Sequence, residues 1–444
     1  FVIVGLLVLA IGGMFYTSQQ ADDQRSEPGT SPSEMTQAES KQPVLHNSIA
    51  VLPFDNLSPD PDNAYFAAGV HEETLNQLAK INDLSVIART TMLQYTGRDK
   101  SVPEIGAELN VGAVMEGSVR YAGERVRITA QLIDVATGAH LWSEAYDRNL
   151  KDIFAIQSDI ALKITSAMKA EFELEEQQAI AVAPTDNLDA YAKYVRALGL
   201  IAENPPRMLD AINALQHAID MDPEFADALA VKAYIHATAI TVASGPELTP
   251  ESEAFNISTG KQLAQRAVAA NANNSLAHLA QSYLARAEWR WDDAFTEART
   301  AYEMDPNVSH IVYAYGLALQ QKGRVDEAIV QFDRAIALDP LNSNIPVSSF
   351  IAIYWVQRWD EALGYLALVS DARPDDYVPD LYAAEVHAIK RDDLLARESL
   401  RAAEKRVPER INTTDSLIFM CVYSRLGMSD DVDRWYQRLL VRNE

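Results

Sequence analysis

Residues with catalytic potential are concentrated in His71-Glu72-Glu73-Thr74-Leu75. A zinc-hydrolase helix needs a second His four places after the first, so that two imidazoles on one face hold the metal while the Glu acts as base. Leu75 fills that place. The run therefore reads as solvated residues at a helix start. Ser166-Ala167-Met168-Lys169 has the Ser-x-x-Lys spacing of a nucleophile and its base, but Met168 belongs to an apolar stripe and no companion motif follows. Phosphate-cradling glycine loops and a Gly-x-Ser-x-Gly elbow are absent, and the 8 His are scattered. Cys421 is the single cysteine, which excludes an intrachain disulfide and a Cys-based metal cluster. Its helical setting predicts a small buried hydrophobe. The chain is expected to carry no catalytic residue, metal or cofactor of its own.

The 444 residues, 48% of them hydrophobic, exceed what one core organises and suffice for two or three domains. A net charge of −25 repels phosphate backbones, so no nucleic-acid binding is expected of this region. Phe1–Tyr16 (FVIVGLLVLAIGGMFY) is apolar and uncharged. It is short for a bilayer span and is expected to be a truncated transmembrane helix; the alternative is a signal peptide, although a basic n-region and a small-x-small cleavage site are absent. Residues 17–45, rich in Ser, Gln, Glu and Pro, read as a disordered tether. The flank TSQQADDQRSEPGT is acidic, as on the non-cytoplasmic side of a bacterial inner membrane.

From residue 46 to 175 the pattern is that of a compact α/β domain with one mixed sheet. Ile49–Leu52 and Leu84–Ala88 are short apolar runs, as in strands buried on both faces. Helices are predicted over Thr74–Ile81 and Val102–Leu109. Strands are predicted over Val111–Tyr121, Glu124–Val135 and His140–Tyr146, the middle one alternating inward Val126, Ile128, Ala130 and Leu132 with polar neighbours. Ile153, Ile156, Ile160, Ile164 and Met168 recur at helical spacing, which gives the order β-α-β-α-β-β-β-α. Trp142 is expected to pack on the sheet edge.

Residues 188–444 are helical and periodic. Pro306, Pro340, Pro374 and Pro408 lie 34 residues apart, in step with Ala294, Ala328, Ala362 and Ala396. A second column runs Ala267, Ala301, Ala335, Val369, Ala403. Such a period means stacked helical hairpins, none able to bury its apolar face alone. The columns divide the chain into 192–225, 226–274, 275–308, 309–342, 343–376, 377–410 and 411–444, with a surplus around Val242–Ala254 in the second unit. Trp289, Trp291, Trp355 and Trp359 fall at first-helix ends and are expected to wedge between repeats.

The segment SHIVYAYGLALQQKGRVDEAIVQFDRAIALDP (309–340) resembles a tetratricopeptide repeat in Gly316, the GRVDEA turn, and Ala328, Phe332, Ala335 and Pro340. Residues 48–169 resemble the TolB-like amino-terminal domain of bacterial membrane signalling proteins. That likeness is carried by SIAVLPFDNLSPDPDNAYFAAGVHEETLNQLA, LSVIARTT, VGAVMEGSVRYAGERVRITAQLIDVATGAHLWSEAYDR and IFAIQSDIA. Together they imply an anchored, TolB-like α/β domain followed by an all-α tetratricopeptide solenoid. Upstream, such proteins carry a winged-helix regulator of the CadC kind, a class III nucleotide cyclase or a protein kinase. In tetratricopeptide arrays the first helix of each hairpin lines a concave groove. Carried onto this chain, the groove comprises Lys193, Arg196, Tyr234, Tyr283, Arg286, His310, Tyr313, Gln320, Asn344 and Tyr354. Aromatics with interleaved polar groups suit a protein or peptide partner. The expected function is a non-catalytic periplasmic sensory or scaffolding region that controls a cytoplasmic output; the alternative is an anchored envelope-assembly scaffold without one. A homodimer is compatible with either.

Overall fold

The computed structural model describes residues 47–440 except 59–63, 98–99, 123–124, 150–152, 171–179, 181–182, 203–206, 243–248, 343, 409–410 and 412. The predicted membrane helix (1–16) and tether (17–45) lie outside the described residues. Among those residues no helix is long and apolar enough to cross a membrane. The chain forms two compact units, Pro43–Asn342 and Ser343–Glu444.

The first unit opens with an α/β domain: β1 (Ser48–Val51), β2 (Asp55–Asn56), α1 (Ala64–Ala79), β3 (Ser85–Val86), α2 (Arg89–Leu93), α3 (Val102–Leu109), β4 (Ala113–Ala122), β5 (Arg125–Asp134), β6 (His140–Asn149) and α4 (Ile153–Met168). The sheet order is β3-β1-β4-β5-β6, with β2 also beside β4. β1 runs parallel to β3 and β4, while β4, β5 and β6 form an antiparallel meander. Both faces of the parallel part are covered. Ile49, Val51, Ala113 and Met115 join α1 and α4 in one core, and the alternating Ala50 and Val114 join Met92, Ile105 and Leu109 of α2 and α3 in another. That explains the near-continuous apolar reading of β1. α3 keeps its sequence-predicted bounds because its ends are coded locally. The Ser101 N–H donates to Glu104 at 2.8 Å in a capping box, and Asn110 closes the helix with φ +52°.

Two elements escape the periodicity. β2 has two residues, held where the Leu57 N–H donates to the Val119 carbonyl at 2.8 Å. α1 begins ten residues before the predicted Thr74, because Ala67 and Val70 are as buried as Leu75 and Leu78.

Four hairpins complete the first unit: α5 (Leu188–Ala202) with α6 (Met208–Met221), α7 (Ala226–Val242) with α8 (Pro250–Ala270), α9 (Ser275–Ala287) with α10 (Trp291–Met304), and α11 (Ser309–Gln321) with α12 (Val325–Leu338). The second unit holds α13 (Asn344–Trp355) with α14 (Trp359–Ala372), α15 (Val378–Ile389) with α16 (Asp393–Arg406), and α17 (Thr413–Arg425) with α18 (Ser429–Leu440). Both alanine columns are buried throughout, so helices meet at side chains too small to separate them. The same 34-residue step sets the turns: Trp289, Gly323, Gln357 and Arg391 all have φ between +62° and +75°. Part of the surplus near residue 250 lengthens α8, which starts at a Thr249–Ser252 capping box.

Gly316 sits where α11 and α12 converge. A Cβ there would lie 2.7 Å from Cε1 of Phe332, a fully buried ring. Gly316→Leu is expected to cost about 3 kcal/mol of stability by overpacking. A wild-type melting temperature for that variant would show that the hairpin closes otherwise.

Candidate partner-binding groove

The first helices of successive hairpins bring part of the expected stripe together. Tyr234 of α7 meets Tyr283 of α9 edge-on, ring centroids 5.8 Å apart, and lies 5.7 Å from His310 of α11. Arg286, one turn after Tyr283, places its guanidinium 5.6 Å from that ring. With its amide oxygen turned inward, Gln321 accepts from Nε and Nη2 of Arg286 at 3.3 Å each, and Nη1 is buried without an acceptor. Tyr313 lies 5.7 Å from Phe332. His310 is exposed, and Tyr234, Arg286, Tyr313 and Gln320 are half-buried, so this row presents both surface and anchors.

Tyr283 is different. At 9% exposure it belongs to a core with Leu279, Leu284, Ala301, Ile311 and Ala314. Burial raises its phenol pKa, as it does for Tyr234. Tyr283 therefore lies in the core beneath this row.

Lys193 is half-buried and Arg196 exposed on α5, a helix otherwise engaged by the α/β domain. The Tyr191 hydroxyl donates to the Gly69 carbonyl at 3.3 Å, and Arg89 Nη1 donates to the Leu198 carbonyl at 3.2 Å. In the second unit Asn344 is exposed, and Tyr354 is half-buried against Phe350, Trp355 and Trp359 at 5.2–5.5 Å. Burial first, then the Glu385 carboxylate, raise the Tyr354 phenol pKa.

Several sequence expectations are corrected. Trp289, Trp291 and Trp355 are exposed rather than wedged; Trp289 is 62% accessible and stacks edge-on against Trp291 at 5.5 Å. At the hairpin turn their rings leave the helix interface. Cys421 is exposed too, because its place on α17 faces outward. The largest reversal concerns His71 and Glu73, at 1% and 6% exposure. The His71 ring bonds the Val51 carbonyl through Nε2 at 2.8 Å, and Glu73 accepts from Gln77. α1 is covered by the sheet on one side and by α5 on another, which a single apolar stripe does not announce.

Contacts between the α/β domain and the hairpins continue along the repeat ends. Asn307 Nδ2 donates to the Ile81 carbonyl at 2.9 Å, and the Ala88 N–H to the Leu338 carbonyl at 2.7 Å. The Thr90 and Thr91 hydroxyls donate to Asp339 at 2.6 and 2.8 Å. These contacts are polar and sequence-distant, and no motif marks them. Among the described residues no group of His, Cys, Asp and Glu is arranged to hold a metal ion.

No family model matches the chain. It is 40% identical over 182 residues to "Putative adenylate cyclase 3" of Rhizobium meliloti (strain 1021), an alignment covering 41% of this chain and 31% of that protein. The chain thus spans under a third of that relative. Among solved structures it is similar to PilW, a widely conserved type IV pilus biogenesis factor (17% identity, TM-score 0.38, 47% of this chain and 92% of that one). A tetratricopeptide repeat protein of Parabacteroides merdae is likewise similar (10% identity, TM-score 0.40, 57% of this chain and 93% of that one).

Proposed function

We propose that this chain is the non-catalytic, partner-binding region of a bacterial membrane signalling protein, with a TolB-like α/β domain seated on a tetratricopeptide-like array. The observation that carries the binding role is the aromatic and basic row Tyr234, Arg286, His310 and Tyr313 on consecutive first helices, with His310 exposed and the other three half-buried. In this reading the region is periplasmic, tethered by residues 1–45, and biases a cytoplasmic output. The Rhizobium relative makes a nucleotide cyclase the favoured output over a winged-helix regulator. No residue of this chain performs that chemistry.

A random peptide library panned against the purified chain tests the binding role. Selected peptides are expected to lose about tenfold or more in affinity on Tyr313→Ala combined with His310→Ala, since an interface aromatic carries about 1–2 kcal/mol. Melting temperature should change little. Peptides that bind the double variant as tightly as wild type would move the site elsewhere. Conversion of ATP to cyclic AMP by this chain alone would overturn the non-catalytic reading.

A further inference from the structure

Arg286 lacks a carboxylate in a chain that is rich in them. Lys261, Arg290, Lys322 and Arg324 of the neighbouring hairpins each pair with one. Among the described residues Arg286 pairs with none: the neutral Gln321 amide takes Nε and Nη2 at 3.3 Å, and Nη1 is buried without an acceptor. A guanidinium is a planar fork that meets a carboxylate at about 2.7–2.9 Å, so its charge and its geometry are both left unmatched. The nearest acid along the chain, Glu288, is engaged by Lys261 and Arg290 at 2.8 and 2.7 Å.

Acids are also sorted between the two helices of each hairpin. α9 and α11 contain no Asp or Glu, and α7 has only Asp227, in its first turn and bonded by Asn274 at 2.6 Å. Their partner helices are acidic: α10 carries Asp292, Asp293, Glu297 and Glu303, and α12 carries Asp326, Glu327 and Asp333. In a chain of net charge −25, the first helices therefore offer a carboxylate-free stretch with a cation on it.

We propose, on the partner-binding reading of this row, that the groove selects an acidic peptide: an Asp or Glu side chain of the partner pairs with Arg286, and its apolar neighbours lie against Tyr234, His310 and Tyr313. Gln321 is exposed and its contacts are long, so a carboxylate displaces the amide and turns the fork towards the groove. The exchange gives the unmatched guanidinium an acceptor, and a buried donor left without one is costly. Arg286 and Tyr234 both lie against the Tyr283 ring, at 5.6 and 5.8 Å, so one ligand residue reaches the cation while the next meets an aromatic face. Burial raises the Tyr234 and Tyr283 phenol pKa values, and neutral phenols neither neutralise Arg286 nor repel a carboxylate. The acidic remainder of the chain repels the same ligand, which confines it to this face.

Peptides panned from the random library on the full chain are expected to share an Asp or Glu at one position, with apolar residues beside it. Resynthesised with an amidated C-terminus, such a peptide should bind about tenfold or more weakly once that acid is replaced by its amide, Asn or Gln. Arg286→Met should weaken the acidic peptide by a similar factor and leave its amide analogue unchanged, so that the two losses do not add. The melting temperature of Arg286→Met should hold, and the change on the peptide reads the same contact with the protein unaltered. Peptides that are lost on Tyr313→Ala with His310→Ala, yet share no acid or bind equally as acid and amide, would overturn acid selection and leave the groove in place. An acid whose removal costs as much in Arg286→Met as in wild type would overturn the pairing, as would binding that needs a free C-terminal carboxylate. Peptides indifferent to Tyr313 and His310 would remove both readings.

Discussion

Gly117→Ala is expected to lower the stability of the α/β domain by about 3 kcal/mol, near the upper end for overpacking a dense core. Gly117 is in the middle of β4, and a Cβ built there would lie 2.0 Å from Cε1 and 2.2 Å from Cδ1 of Phe54. The Thr129 carbonyl of β5 blocks the other direction at 2.9 Å. Phe54 has no room to retreat, since it is buried in the core shared by β1, α1 and α4, with the His71 ring 6.4 Å from it. Gly138→Ala is the control. That glycine has open space around it but φ +69°, so the substitution should cost about 1–2 kcal/mol through conformation alone. Urea titration of both variants separates the two origins. Equal midpoints for Gly117→Ala and wild type would mean that Phe54 packs elsewhere in solution.

The contrast shows what the sequence makes legible. Gly316 is readable because it stands in the repeat-like segment 309–340 at a fixed spacing from Ala328 and Phe332. Gly117 is not, because Phe54 reaches it across the sheet from a loop with no periodic relation to β4. The same division applies throughout. α3, β5 and the alanine columns follow from caps, alternation and period, all of which act over a few residues. β2 and the first turns of α1 depend on surfaces supplied from far along the chain.

The groove divides in the same way. Spacing places Tyr234, Tyr283, His310 and Tyr313 on first helices, and the rings do gather there. Spacing does not say how deep each lies. Tyr283 sinks because Leu279, Leu284 and Ile311 converge around it, whereas Tyr313, with Phe332 on one side, stays half-open. Trp289 surfaces because the left-handed turn, filled by Gly323 one repeat later, points its side chain away from the hairpin. His71 and Glu73 pass as solvent-facing by residue type, yet both are enclosed between the sheet and the first hairpins.

Asp339→Ala is expected to cost about 3 kcal/mol, most of it at the join between the α/β domain and the fourth hairpin. Asp339 is 4% exposed at the end of α12 and accepts three hydrogen bonds: Thr91 at 2.8 Å on Oδ1, with Thr90 at 2.6 Å and Asn342 at 2.8 Å on Oδ2. Hydrogen bonds to a charged acceptor contribute about 1.5–3 kcal/mol, and removing the acceptor strands the fully buried Thr91 hydroxyl. Thr91 also accepts from the Leu341 N–H at 3.1 Å, so the loss passes to the loop after α12. The backbone bond from Ala88 to Leu338 survives the substitution and keeps the two parts in register. Faster hydrogen exchange should therefore be confined to α2 and residues 339–342, while β5 and α9 exchange as in wild type. Asp339→Asn retains one carbonyl acceptor and should lose about half as much. If Asp339→Ala melts and exchanges like wild type, the apolar contact of Leu341 with the core of α2 and α3 holds the join instead, and the hydroxyl–carboxylate cluster only fills space there.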